Sequence, residues 1–560
     1  FQAEDGIRDC LLSRGLGDVY KRQVSIAIYL LALVGVGLYK TKMVKNSEDF
    51  MVAGRVLPWY ILVGTLLATW MGSGSLFSGA GLGYRNGPAA LWSSAGAWLG
   101  IALIYFIAKR IRNFGKITVP DIFEIRYGRF AAILATITTV IAYTTIVSYQ
   151  FRGGGKVLSM VSDGMISLEA GIIITAVFAI SYTVLAGMFS VVYTDVVNGV
   201  LITVGVLSAL VFMIFNIGGV GEMIQVADQA GKWSMFGNWA AERSGDISGP
   251  IIAMSFFVPT MLLLMGDANM YQRIFSAKDG GSAKKAVFFW VIGVIILESS
   301  ISFLGLTGSV AAEKGLIPDL VQNEQQVVFL EAMKTGSAPL PSDLLSARQS
   351  GSESVIPAIA IHGGLPLIIG LILVSTMMAI IVSTADSFLL IPATNLTRDV
   401  YQKYINVKAS EKQIILVSRA LVLVLGLIAF LLVSQFKTVL NAAFTAYNIY
   451  GASLTPSLLA AFLWKRATKE GAVASILTGA SITIIWTYFL PNWSGFNNLN
   501  PFLKELTYPA AGLSVFVLIF VSLVTSAPPK EVYVQFFLSL IHISEPTRQE
   551  AISYAVFCLK

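Results

Sequence analysis

Cysteine, histidine and charge are all scarce in this chain, and each shortage closes off a class of function. The two cysteines, Cys10 and Cys558, lie in terminal stretches (1–23 and about 539–560) whose polar composition breaks sharply with the rest. Between those stretches there is no cysteine, so no disulfide can form there. His542 also lies in the second stretch, which leaves His362 as the single histidine of the body. Histidine-based metal sites and catalytic histidine pairs therefore have almost no material to work with. Only 13% of the 560 residues are charged, against 55% hydrophobic, and mean hydropathy is +0.73. A soluble chain of this size needs far more polar surface to cover its core. The net charge of +7 is not a nucleic-acid footprint, because the Lys and Arg residues sit in short loops between apolar blocks.

Enzyme and channel signatures are missing as well. There is no HExxH, no GxSxG and no histidine partner for a nucleophile. Gly153-Gly154-Gly155-Lys156 has the look of a phosphate loop, but Gln150 stands where the earlier glycine belongs and Val157 follows the lysine. It fails the Walker pattern and is expected to face outside. No filter-like motif supports a channel. The two terminal stretches are similar to translated sequencing-library adapters and are set aside.

What the chain does have is apolar sequence in blocks of about 18–25 residues, the length that crosses the roughly 30 Å hydrocarbon layer. Thirteen blocks are counted, near 24–39, 59–82, 88–108, 129–150, 168–187, 190–216, 250–272, 285–310, 364–392, 412–434, 439–463, 470–490 and 507–526. Lys and Arg cluster on every second loop, around 40–55, 109–129, 273–285, 398–412 and 465–469. Positive loops face the cytoplasm, so the amino terminus is expected outside and the carboxyl terminus inside an inner, plasma-type membrane. The fold class expected is an all-α polytopic membrane protein.

Two blocks are interrupted. The second carries Gly72-Ser73-Gly74-Ser75 and Gly79-Ala80-Gly81-Leu82-Gly83, a glycine density that works against a continuous helix. The seventh carries Pro259 and then Gly266-Asp267-Ala268-Asn269. Glycine in a membrane helix usually serves close packing, but here the paired position matters more. With the first helix set aside, the two interrupted blocks open successive sets of five. That is the pattern of a five-plus-five inverted repeat whose binding site lies where the broken helices meet. The divisions expected are a first helix and loop (24–57), core repeat one (58–218), an outer loop (219–248), core repeat two (249–464, with an outer loop at 311–357) and two carboxyl-terminal helices (465–530).

Several short strings, in order, resemble the sodium:solute symporter family. They are Asp49-Phe50-Met51-Val52-Ala53-Gly54-Arg55, Thr118-Val119-Pro120-Asp121 with Arg126-Tyr127-Gly128, Tyr193-Thr194-Asp195-Val196, Met270-Tyr271-Gln272-Arg273 and Ser383-Thr384. The resemblance covers about residues 24 to 530. It implies a LeuT-like inverted-repeat core, sodium coupling and alternating access. Carried over position by position, it implies a sodium site made by the carbonyls of Ala68, Met71 and Ile380 and the hydroxyls of Ser383 and Thr384. Sodium needs oxygen ligands at the bilayer midplane, and an unwound helix supplies them. The competing reading is that Ser and Thr in membrane helices bond back to a carbonyl one turn earlier.

The resemblance also implies a second sodium site, or an exit path, at Ser383, Asp386, Ser387 and Asp195. Carboxylates at membrane depth are costly and mark cation or proton routes. The alternative is that Asp195 caps its helix near the interface while Asp386 pairs with a basic residue. Solute recognition is expected from Thr69, Trp70, Gly72, Ser73 and Ser75 in one break and Gly266, Asp267 and Asn269 in the other, with Tyr143 and Tyr447 facing them. Arg273 is expected at the interface, and Glu298 is expected to pair with a neighbouring helix. The function expected is sodium-coupled symport of a small organic solute, with Na+ as coupling ion, no organic cofactor and no nucleic-acid partner. A proton-coupled or uncoupled carrier, or a transporter-like sensor, is the alternative.

Overall fold

Backbone polar groups cannot be left open in hydrocarbon, so a chain of this composition is confined to helices. The computed structural model describes residues 2–537 except 42–45, 116–117, 238, 240–247, 322–341, 491–492, 494 and 496–498. The stretch 539–560 and much of the loops 219–248 and 311–357 lie outside the described residues. Among those described, the structure is helical, with a single isolated bridge, Leu57 to Ala277, in place of any strand.

The first helix, α1 (Gln2–Thr41), continues through the polar terminal stretch into the first span. The first broken helix is α2 (Trp59–Trp70), a π-helical turn at Gly74–Gly79 and α3 (Ala80–Asn86). Then come α4 (Leu91–Asn113), α5 (Val119–Tyr127), α6 (Arg129–Val161) and α7 (Leu168–Asn216). The second broken helix is α8 (Gly249–Gly266) with α9 (Ala268–Ser276). It is followed by α10 (Gly280–Glu313), α11 (Leu367–Asn395), α12 (Glu411–Leu432), α13 (Val439–Ser453) and α14 (Thr455–Leu463). The pair α15 (Lys469–Ile484) and α16 (Thr507–Val524) completes the set.

Among the described residues, eleven helices are long and apolar enough to cross a membrane. That is fewer than the thirteen blocks read from the sequence. Block 59–82 is cut at Met71, and block 439–463 is cut at Leu454 into two pieces of 15 and 9 residues. Conversely, blocks 168–187 and 190–216 run together as α7, bent at Gly187. Gly187 has φ +67°, and a Cβ there would stand 2.7 Å from the Phe50 ring, so only glycine fits the bend.

The helix α11 is buried along nearly all its length and packs on α2, α6, α7 and α9. The string 49–55 lies under the second broken helix: Gln272 Nε2 donates to Met51 O at 2.7 Å, and Leu57 exchanges backbone bonds with Ser276 and Lys278. The glycine-rich run 153–155 is a packing device. A Cβ on Gly153 would stand 2.4 Å from Ser73 Oγ, and one on Gly154 2.3 Å from a Thr175 methyl. Lys156 is buried and paired with Glu353 at 3.1 Å, rather than held ready for a phosphate.

A close backbone approach is made between α3 and α10. A Cβ on Gly83 would stand 2.1 Å from Ser302 O, and one on Gly305 2.0 Å from Ala80 O. Small residues on both sides let the backbones touch. The expected outcome for Gly305→Val is a loss of about 1–3 kcal/mol from overpacking, read as a lower melting temperature of the purified protein.

Candidate functional site

The first break is narrower than the sequence suggests. Thr69 and Trp70 are still helical, and the backbone departs at Met71 (ψ 97°) before the helix resumes near Ser73. There the freed carbonyls meet α11. Ser383 Oγ donates to Ala68 O at 3.1 Å and to Ile380 O at 3.2 Å. Thr384 Oγ1 donates to Met71 O at 2.9 Å and reaches Thr69 O at 3.4 Å. Six oxygens from two helices thus converge in a buried place. Only the Ser383–Ile380 bond is the within-helix kind; Thr384 bonds wholly across the interface. A hydroxyl that donates here can turn and offer a lone pair to a cation. Gly72 keeps the approach open, since a Cβ there would stand 3.0 Å from both Thr384 Cγ2 and Gln150 Nε2.

One turn further along α11 lies a charged cluster. Arg273 is not at the interface, as its sequence context suggests, but wholly buried, with Nη2 3.1 Å from Asp195 Oδ2. The same nitrogen donates to Ser387 Oγ at 2.7 Å, and Arg273 Nε donates to Thr65 Oγ1 at 3.0 Å. Asp195 Oδ2 also accepts from Thr65 at 2.6 Å and Thr69 at 3.2 Å. The expected capping role near the interface is therefore not what Asp195 does. Asp386 lies within electrostatic reach of Asp195 and Arg273, yet its Oδ1 has no hydrogen-bond partner and no ion pair is found for it among the described residues. Two carboxylates face one guanidinium, which leaves one negative charge to be met when both are ionised.

The second break sits at Asp267 (ψ 114°). Its carboxylate caps α9 by accepting from the Asn269 amide at 2.7 Å, and Tyr143 Oη donates to it at 2.5 Å. Tyr450 Oη donates to Gly266 O at 2.9 Å and accepts from the Ala268 amide at 3.1 Å. Tyr143, Gly266, Asp267 and Asn269 are therefore parts of the joint itself.

Beside the first break lies a cavity of about 20 Å³ whose lining includes Trp70, Gly74, Ser75, Thr260, Glu298 and Tyr447. Of the residues expected to meet the solute, Trp70, Ser75 and Tyr447 reach it. Thr69 belongs to the charged cluster, and Ser73 gives its amide to Gln150 Oε1 at 2.9 Å. Glu298, on α10, receives the Trp70 indole N–H at 2.8 Å and the Ser75 hydroxyl at 3.3 Å. Glu298, Gln150, Thr65 and Arg273 were not expected here. The signal for Glu298 was its carboxylate in the middle of an apolar block; Thr65 and Gln150 gave none.

Removing one partner of a buried pair leaves an uncompensated charge, which costs about 3–5 kcal/mol. Arg273→Met is accordingly expected to destabilise by that order, and Asp195→Asn/Arg273→Met by less than Arg273→Met alone. Thermal unfolding of the three proteins checks the sign of the coupling.

The sequence pattern of the sodium:solute symporter family matches residues 50–479. The osmoregulated proline transporter OpuE of Bacillus subtilis (strain 168) is 25% identical over 523 residues, covering 91% of this chain and 96% of that one. A sodium/proline symporter of Staphylococcus aureus (strain bovine RF122 / ET3-1) is 25% identical over 538 residues, covering 92% and 95%. Among solved structures, the substrate-bound outward-open state of a Na+-coupled sialic acid symporter aligns with TM-score 0.72 at 18% identity, covering 93% of this chain and 99% of that chain. Mhp1, a nucleobase-cation-symport-1 family transporter in a closed conformation, aligns with TM-score 0.53 at 12% identity, covering 87% and 97%. The fold is that of the LeuT-like transporters, and the chain belongs to the sodium:solute symporter family.

Proposed function

We propose that this sodium-coupled secondary transporter holds its coupling ion between α2 and α11, at the carbonyls of Ala68, Met71 and Ile380 and the hydroxyls of Ser383 and Thr384. The single observation that carries the reading is the cross-interface bonding of Ser383 and Thr384 to carbonyls freed by the break. With the hydroxyls turned, the same oxygens form a ligand set suited to a hard monovalent cation. The ion then bridges the broken helix to α11, so its binding favours conformations in which the two stay together. A solute bound next to Trp70 and Ser75 touches the same broken helix, which couples the two ligands through one element. The count of thirteen spans and the outside amino terminus belong to this proposal too, on the strength of the alternating positive loops.

Asp386 is the place for a second cation. Its open oxygen and the net negative charge of the Asp195–Arg273–Asp386 group support a site for Na+ there, shared with Ser383 and Ser387. A proton on Asp386 is the second reading, favoured by the same open oxygen. The cavity beside the first break, lined by Trp70, Ser75 and Tyr447, supports placing the solute there. Proline, named for two relatives, is the first solute to try.

In proteoliposomes, uptake of the transported solute is expected to follow an imposed sodium gradient. Ser383→Ala/Thr384→Ala should raise the sodium concentration for half-maximal uptake by about tenfold or more, on the order of two lost ligands. Uptake equally fast on a potassium gradient would remove the sodium assignment. Asp386→Asn is expected to lower the sodium:solute ratio, measured by dual-isotope flux, while an unchanged ratio would remove the second ion.

A further inference from the structure

The hydrogen bonds at the two helix breaks bear on the charge of the solute. A carboxylate entering this region would use the open amides at the ends of the half-helices. Three of those amides are already taken by the chain's own side chains. The Ser73 amide donates to Gln150 Oε1, the Asn269 amide to Asp267, and the Ala268 amide to Tyr450 Oη. No Lys or Arg stands among the described lining residues of the cavity.

The cavity does hold a carboxylate. Glu298 is 5% exposed, forms no ion pair among the described residues, and lines the space between Trp70 and Tyr447. The Trp70 indole and the Ser75 hydroxyl both donate to Oε1, while Oε2 has no hydrogen-bond partner. The position is fixed: Glu298, Ser302 and Gly305 share one face of α10, and Gly305 meets Ala80 O of α3 at backbone distance. The rings of Trp70 and Tyr447 lie 6.3 Å apart at 33°, two faces of the kind that attract a cation. A buried carboxylate with one open oxygen, flanked by aromatic faces and without a basic partner, is costly to hold ionised alone, so in its ionised form it favours a cation beside it.

We infer that the transported solute is a small organic cation whose charged nitrogen sits against Glu298, between Trp70 and Tyr447. This rests on the cavity being the solute site of the symporter. The inference goes beyond it by ranking a simple cation above a zwitterion or an anion, because the charged group among the described lining residues is a carboxylate, while the donors left open there are the neutral hydroxyls of Ser78 and Ser302. At about 20 Å³ the cavity is water-sized, so the solute enters only as Trp70 and Tyr447 move apart, and small cations are favoured.

The test is thermal unfolding of the purified full chain. First, the melting temperature in sodium is compared with that in equimolar potassium, with no solute; this reads the sodium site alone. Then ethanolamine, choline, proline and lactate are added separately, in each salt, at matched ionic strength. A ligand of the folded state raises the melting temperature with its concentration. Ethanolamine or choline is expected to give the largest rise, and Glu298→Gln to weaken it by about tenfold or more in apparent Kd, as expected for losing a charge-assisted contact. A rise with proline or lactate exceeding that of both cations, no rise with either cation, or a cation response unchanged in Glu298→Gln overturns the inference. If Glu298→Gln does not fold, the ranking of the four solutes on the wild-type protein decides alone. Absence of a sodium-specific rise counts against the coupling-ion reading and leaves the solute ranking to be read separately.

Discussion

Everything in the interior follows from the need to satisfy backbone groups that two broken helices release where no bulk water is available. A helix cut at Met71 and another cut at Asp267 each leave carbonyls and amides without their usual partners. Neighbouring helices supply them. Ser383 and Thr384 answer the carbonyls of the first break, and Gln150 answers the Ser73 amide. At the second break Tyr143 and Tyr450, together with Asp267 itself, tie off the loose ends. These partners turn a structural liability into a polar interior, and the proposed ion and solute sites lie within it.

The same bonds give the breaks two states. A carbonyl that accepts a hydroxyl proton can accept a cation instead, at small cost in rearrangement, because the oxygens already converge. The proposed exchange would tie α2 to α11, one helix from each expected repeat. Arg273 reaches the same α11 from the second broken helix, bonding Ser387 while it pairs with Asp195 of α7. Both broken helices are thereby anchored on one buried helix, α11.

Much of this was legible in the sequence, for identifiable reasons. Helix breaks leave a composition signal, glycine density in one case and Gly266-Asp267 in the other, and both breaks were found within a few residues. The residues expected at the ion site lie together because a backbone carbonyl depends on position alone, and position was carried by the family pattern. On the solute side, Tyr143 and Asp267 are found bonded to each other at the second break, and residue type does not reveal which face a tyrosine turns. Arg273 looked interfacial because arginine usually is; its burial depends on Asp195, 78 residues away, and pairing at that range leaves no local trace. Glu298 was visible as an anomaly in an apolar block, but its meaning required Trp70 and Ser75, more than two hundred residues earlier.

The central claim is that sodium binds at the crossing of α2 and α11. The most direct measurement is equilibrium binding of radioactive sodium to the purified protein, with Thr384→Val as the comparison, which keeps the side chain's shape and deletes the oxygen that bonds Met71 O. The account predicts saturable binding to the wild type that unlabelled sodium displaces and potassium does not, and a weaker affinity in Thr384→Val. Saturable binding of equal affinity in both proteins would contradict it.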